Sequence, residues 1–233
     1  MENLNNILWV KKILGTKEIS GIEKIRSAEQ NSVFKIETDL GSYILKEGPN
    51  LAGEKDRLVW LEGKLPTPKV VGWQEQSGQD MLLMTCIEGD DLANLVRKIP
   101  TEKVVQILAQ TLHMIHDTDI SKCPFGEKTA DSVFIHGDAC LPNFILLGEQ
   151  LNGIIDLGNA GIGTKETDLA AAVWSLNYNY GPELGVPFLE TYGVPSPTEE
   201  YAEELILKYE GDWSERFKEE ENGETRNEKK IRR

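Results

Sequence analysis

Cysteine is scarce in this 233-residue chain: Cys86, Cys123 and Cys140 are widely spaced and none belongs to a C-x-x-C pair. An odd, scattered set excludes a disulfide framework and a cysteine zinc site and predicts a reducing compartment. Positive charge is also short, with 25 Lys and Arg against 39 Asp and Glu and a formal net charge of −14. That balance argues against nucleic acid and anionic membrane surfaces as partners, and it suits a cationic small molecule. No apolar run approaches the length needed to span a bilayer. Met1 to Lys12 carries Glu2, several Asn and only a short apolar segment, unlike a secretory signal. The expected location is the cytoplasm. Glycine-rich phosphate loops are missing too. In Gly158–Lys165 the order Thr164-Lys165 is wrong for G-x-x-x-x-G-K-[ST], and there is no third glycine for a dinucleotide fingerprint. No internal repeat is present.

With 39% hydrophobic residues, the chain can bury a real core. Ser32–Thr38 alternates apolar and polar residues, Asp39-Leu40-Gly41 supplies turn chemistry, and Ser42–Lys46 resumes as a strand. A helix is predicted from about Leu51 to Glu62, ended by Pro66 and Pro68. Val70–Trp73 and Met81–Met84 read as two strands around the turn Gln76–Gln79. Beyond Glu88-Gly89-Asp90 the composition turns helical, and the boundary between two halves is placed there. Thr101 is predicted to cap a long amphipathic helix that buries Val104, Ile107, Leu108, Leu112 and Ile115 and runs to about His116. Glu215–Arg233 is almost all charged or polar and reads as a solvated or disordered tail.

The richest segment runs His136-Gly137-Asp138-Ala139-Cys140-Leu141-Pro142-Asn143, with Val133–Ile135 before it and Phe144–Leu147 after it as short apolar strands. Gly148–Gly153 is turn-rich, and Ile154-Ile155 leads to Asp156-Leu157-Gly158. A carboxylate in the loop can accept a hydroxyl proton, while an amide and a second carboxylate can hold magnesium on nucleotide phosphates. Protein kinases divide the labour in this way between H-R-D-x-x-x-x-N and D-F-G, with Gly137 here in place of Arg and Leu157 in place of Phe. Lys46 and Glu54 fit the ion pair that positions phosphates in kinases. Taken alone that pair would read as a surface salt bridge, but its place in chain order with Asp138, Asn143 and Asp156 favours the kinase reading. His136 is expected to be a hydrogen-bonding scaffold. His113 and His116 could share a metal, but no third ligand lies near, so a packing or capping role is expected.

At these residues the chain resembles the aminoglycoside phosphotransferases, in particular the 3′-phosphotransferase branch. The resemblance runs from about Ser32 to Tyr192. It is strongest in Glu54–Asp56 with Trp60–Pro66, Asp119–Pro124, His136–Asn143, and Ile155–Gly158 with Asp168–Ala170. It implies an α+β, two-lobed protein-kinase-like fold, with a small antiparallel sheet over residues 1–86 and a mostly helical lobe over 87–217. The 218–233 tail would follow. It implies ATP (or GTP) and Mg2+, with Asp138 as general base and Asn143 and Asp156 as metal ligands. Lys46, held by Glu54, would contact the α- and β-phosphates, and Met84, Thr85 and Ile87 would meet the adenine. Asp168 would brace the catalytic segment. Asn159, Glu215 and Phe217 would lie on the acceptor side.

The acceptor implied is an aminoglycoside hydroxyl. Another small alcohol (an amino alcohol, sugar or macrolide) and an inactive nucleotide-binding role are the alternatives. Oligomeric state is left open. The chain departs from the family in several places. Only Phe125–Ile135 separates Cys123-Pro124 from His136, where the family carries a longer helical stretch. The nucleotide-covering segment Ser27–Ser32 has no glycine. Asn159 replaces an Arg, and Thr164 an Asp.

Overall fold

The computed structural model describes residues 4–16, 18–27, 31–76, 78–95 and 98–211. The N-terminal half holds α1 (Leu4–Leu14), β1 (Ile19–Ser27), β2 (Ser32–Thr38), β3 (Gly41–Gly48), α2 (Ala52–Leu61), β4 (Val70–Gln76) and β5 (Gln79–Thr85). Its five strands form one antiparallel sheet in the order β1-β2-β3-β5-β4. The apolar run of β5 is continuous because both faces of the strand are covered. Met81 and Leu83 pack with Val10, Ile36 and Leu45, a cluster that α1 helps to close. Leu82 and Met84 face the other way, towards Leu58, Leu61 and the main core. Alternation along β3 puts Ile44 and Lys46 on that inner face. In α2, Glu54, Leu58 and Leu61 are the buried residues, at the i, i+4, i+7 spacing of one helix face. The helix therefore aims a carboxylate at the strand that carries the lysine.

The second half is mostly helical. It comprises β6 (Asp90–Asp91), α3 (Thr101–His116), β7 (Val133–Ile135), β8 (Phe144–Leu147), β9 (Gln150–Ile154), β10 (Gly161–Gly163), α4 (Lys165–Tyr180) and α5 (Gly185–Tyr192). A last helix, α6, covers 199–211 up to the final described residue. β6, β8 and β9 make one small sheet, and β7 pairs with β10. α3 buries Val104, Ile107, Leu108, Leu112 and Ile115 along the predicted stripe. The two halves join where the Ile154 N–H donates to the Pro66 carbonyl at 2.8 Å. The fold is α+β, a sheet lobe on a helical lobe.

Four local expectations need correction. α1 and β1 were not anticipated: β1 is apolar only at Ile19, Ile22 and Ile25, a spacing of three rather than two, and the apolar residues of Leu4–Leu14 were weighed only against a secretory signal. Thr101 is not the cap of α3: Pro100 holds that position with extended backbone, and its carbonyl accepts from Lys103 and Val104. The segment expected to be a turn over Gly148–Gly153 is mostly strand. Only Gly148 and Glu149 lie between β8 and β9, with Gly148 at φ +64, so the second strand starts at Gln150. Past Glu88 the chain first forms β6 against β8, and the next helix among the described residues starts at Thr101. Residues Glu215, Phe217 and the 218–233 tail lie outside the described residues, as do residues 28–30 of the nucleotide-covering segment. Among the described residues, no helix is long and apolar enough to cross a membrane.

Candidate active site

The Lys46 ammonium donates to both Glu54 carboxylate oxygens at 2.7 and 2.8 Å and to Asp156 Oδ1 at 2.8 Å. One cation thus ties the sheet, α2 and the segment after β9 together. Burial would lower the Lys46 pKa, but Glu54 and Asp156 outweigh it and hold the amine above its ordinary value. Burial raises the Glu54 carboxyl, with Lys46 pulling the other way. Asp156 lies at φ 60 and ψ 54, a left-handed conformation uncommon for a residue with a Cβ. The next three residues, Leu157–Asn159, form a 3-10 turn. That turn packs beneath α2, where the Arg57 guanidinium donates to the Ala160 carbonyl.

Asp138 and Asn143 sit on the loop between β7 and β8. Asn143 Nδ2 donates to the Asp138 carbonyl at 2.8 Å and to Asp138 Oδ2 at 3.2 Å. The Asn143 carbonyl accepts from the Ile155 N–H at 2.9 Å, next to Asp156. His136 closes the same link: Nε2 lies 3.0 Å from the Ile155 carbonyl and so carries the hydrogen, leaving Nδ1 to accept from the Asp138 N–H at 3.3 Å. The expected scaffold role for this histidine matches its contacts. Gly137 explains the absence of an arginine at its position. It has φ +78, and a Cβ there would run into the Asn159 backbone carbonyl, so the loop and the Asp156 turn can lie back to back only across a glycine.

Asp168, fully buried at the start of α4, anchors the loop from below. Its Oδ2 accepts from the His136 N–H at 2.7 Å and its Oδ1 from the Gly137 N–H at 2.8 Å. His116 Nε2 adds a third contact at 3.1 Å, and Tyr192 OH lies 2.7 Å from His116 Nδ1. The Tyr192 phenol is pushed up to about 12 by burial and by Asp117 and Asp168, so it stays protonated and donates. His113 stacks on Tyr192 at 4.4 Å between ring centroids. His116 is buried and His113 is exposed apart from its stacking on Tyr192, and among the described residues no group of three His, Cys, Asp or Glu is placed to hold a metal. Asp168→Ala is expected to cost about 3 kcal/mol or more, because two buried N–H groups each lose a partner at roughly 1–3 kcal/mol. Urea unfolding would show it as a lower midpoint; a wild-type midpoint would contradict the bracing role.

Asn143 and Asp156 are the pair that could hold a metal. Because Asn143 turns its Nδ2 towards Asp138, its Oδ1 is left for another partner, and Asp156 supplies a half-exposed carboxylate. One amide oxygen and one carboxylate match magnesium, which takes its other ligands from phosphate and water. At the junction of the halves, Met84 is buried and Thr85 is half-buried. The Thr85 N–H is committed to the Lys69 carbonyl at 3.0 Å and the Cys86 N–H to the Ser42 carbonyl at 3.2 Å. The Ile87 N–H has no backbone partner among the described residues. The Ile87 side chain lies over Gly153 of β9, where a Cβ would not fit. Asn159 is exposed, with its backbone against Gly137 of the Asp138 loop. Contacts that sequence reasoning missed come from distant helices: Ser175 Oγ accepts from the Leu141 N–H at 3.0 Å, and Tyr209 OH reaches Asp138.

A small antiparallel sheet with one inward helix, a lysine shared by two carboxylates, and an Asp–Asn loop facing them on a helical lobe define the class: two-lobed kinase-like phosphotransferases. The model of the phosphotransferase enzyme family known as APH matches residues 21–132 and 127–205, and the chain belongs to that family. It is a small-molecule kinase. The aminoglycoside 3′-phosphotransferase of Niallia circulans is 32% identical over 188 residues, covering 62% of this chain and 72% of its own. That of Enterococcus faecalis is 26% identical over 201 residues, covering 66% and 76%. Among solved structures, aminoglycoside phosphotransferase APH(3'')-Id from Streptomyces rimosus superposes with a TM-score of 0.70 at 21% identity, over 88% of this chain and 98% of its own. The same enzyme in complex with ADP and streptomycin gives 0.69.

Proposed function

We propose that the chain transfers the γ-phosphate of ATP, with Mg2+, to a hydroxyl of an aminoglycoside. The observation that carries this reading is the Lys46 ammonium bonded at once to Glu54 and Asp156, across from the Asp138–Asn143 loop. Lys46 holds the α- and β-phosphates and is itself held by Glu54. The adenine lies at the junction near Met84, with backbone groups of Thr85 and Ile87 as its partners; the committed Thr85 N–H leaves the Ile87 N–H as the donor. Asn143 and Asp156 hold magnesium, which when bound offsets charge on the phosphates. Asp138 orients the acceptor hydroxyl and takes its proton as the oxygen bonds to the γ-phosphorus and the β–γ bridging bond breaks, releasing ADP. Positioning and electrostatics do most of the work.

The acceptor class rests on relatives that act on aminoglycosides, on the neighbour that binds streptomycin, and on a net charge of −14 that attracts a polycation. Asn159 is proposed for the acceptor side. One observation favours a second reading, a kinase for a smaller or different alcohol. From Asp117 to Ser132 the chain has turns but no helix or strand, where the family carries a longer helical stretch. An inactive nucleotide binder is disfavoured because Lys46, Glu54, Asp138, Asn143 and Asp156 are all present and adjacent. ADP release over a panel of aminoglycosides, amino alcohols, sugars and macrolides separates these readings. Turnover with kanamycin-like compounds is expected. Turnover with another class alone would overturn the acceptor, and nucleotide binding without any turnover would overturn the enzyme reading.

A further inference from the structure

Asp138 has a second neighbour that comes from far along the chain. Tyr209 of α6 is 9% exposed, and its hydroxyl lies 3.1 Å from Asp138 Oδ1 and 3.2 Å from Cys140 Sγ. A phenol has one proton and an ionised carboxylate can only accept, so the Tyr209 O–H donates to Asp138. Cys140, with its thiol pKa raised by burial and by Asp138, stays protonated, and its one proton is shared between the Ala171 carbonyl at 3.9 Å and the Tyr209 oxygen. The hydroxyl is not placed by a mobile side chain. The Tyr209 ring packs on Trp174 of α4 at 5.0 Å between centroids. α6 is tied to α4 on either side of it, by Lys208 Nζ to Glu166 at 2.9 Å and by Trp174 Nε1 to Glu210 at 3.3 Å.

The carboxylate torsion of an aspartate is broad and would otherwise allow many orientations. Here Tyr209 engages Oδ1 while Asn143 engages Oδ2 at 3.2 Å. We propose that Tyr209 is a positioning residue. Its hydroxyl, fixed by α4 and α6, holds the Asp138 carboxylate in the one orientation that receives the acceptor hydroxyl. α6 thereby belongs to the reaction machinery as well as to the core. This inference rests on Asp138 acting as proposed above.

Tyr209→Phe keeps the ring and removes only the oxygen. It is expected to lower kcat about 10- to 100-fold, the range for one hydrogen bond to a charged group, with the KM for nucleotide unchanged. In an Asp138→Ala background the same change should cost nothing further, since its effect passes through that carboxylate. Wild-type kcat in Tyr209→Phe, beside a crippled Asp138→Ala, would overturn the positioning role and leave the base intact. Equal losses in both backgrounds, with a lower melting temperature, would reduce Tyr209 to packing and also overturn it. An active Asp138→Ala enzyme would instead sink the reading of the base. Crystal structures of the wild type and Tyr209→Phe decide the matter independently of any acceptor. A rotated or split Asp138 carboxylate supports positioning, and an unmoved one contradicts it.

Discussion

Asp156→Ala is expected to abolish magnesium-dependent nucleotide turnover. The Asn143–Asp156 set contains a single carboxylate, and a neutral amide oxygen alone is a poor magnesium ligand against water. The substitution also strips Lys46 of one of its two acidic partners, so the ammonium can fall back entirely on Glu54. Without the charge of Asp156 neither the metal nor the lysine is held where the phosphates need them. Stability should change far less than activity. Alanine at φ 60 costs on the order of 1–2 kcal/mol relative to a right-handed residue, and Asp156 already bears part of that strain. Turnover across a magnesium titration, with a melting curve on the same sample, separates the two effects. Retained activity would mean the metal is held elsewhere.

Asp138→Ala is expected to lower turnover about 10²–10⁴-fold, the range for losing a general base. The residual rate would reflect what remains of the proposed machinery, in which Lys46, Glu54 and the Asn143–Asp156 pair hold the phosphates. Nucleotide affinity should hardly move, because Asn143 keeps its 2.8 Å bond to the backbone carbonyl of position 138 in the variant and so keeps its orientation. Binding of a non-hydrolysable ATP analogue to the variant checks this. Near-normal kcat would remove Asp138 from the mechanism.

The parts legible in the sequence were those whose contacts are local or strongly periodic. The β2–β3 hairpin, α2 and α3 follow from alternation and helical spacing, and Asp138, Asn143 and Asp156 lie within 19 positions of one another. Glu54 could be aimed because it shares a helix face with Leu58 and Leu61. Gly137 was noticed as a departure, but its cause, the Asn159 carbonyl behind it, exists only once the two loops are folded together. Tyr209 gave no signal: it sits 71 positions from Asp138 in a helix rich in Glu, and tertiary packing alone brings it to the carboxylate. The same reason hid Ser175 and the His116–Tyr192 support under Asp168. Pro100 takes the cap position because its backbone is still extended at φ −58 and ψ 142, while Thr101 is already the first helical residue.

The most direct test is mass spectrometry of kanamycin-like acceptors incubated with the full chain, ATP and magnesium. A gain of one phosphoryl group, dependent on magnesium and lost in Asp138→Ala, is the predicted result. Unmodified acceptors from a protein that binds nucleotide and magnesium normally would contradict it.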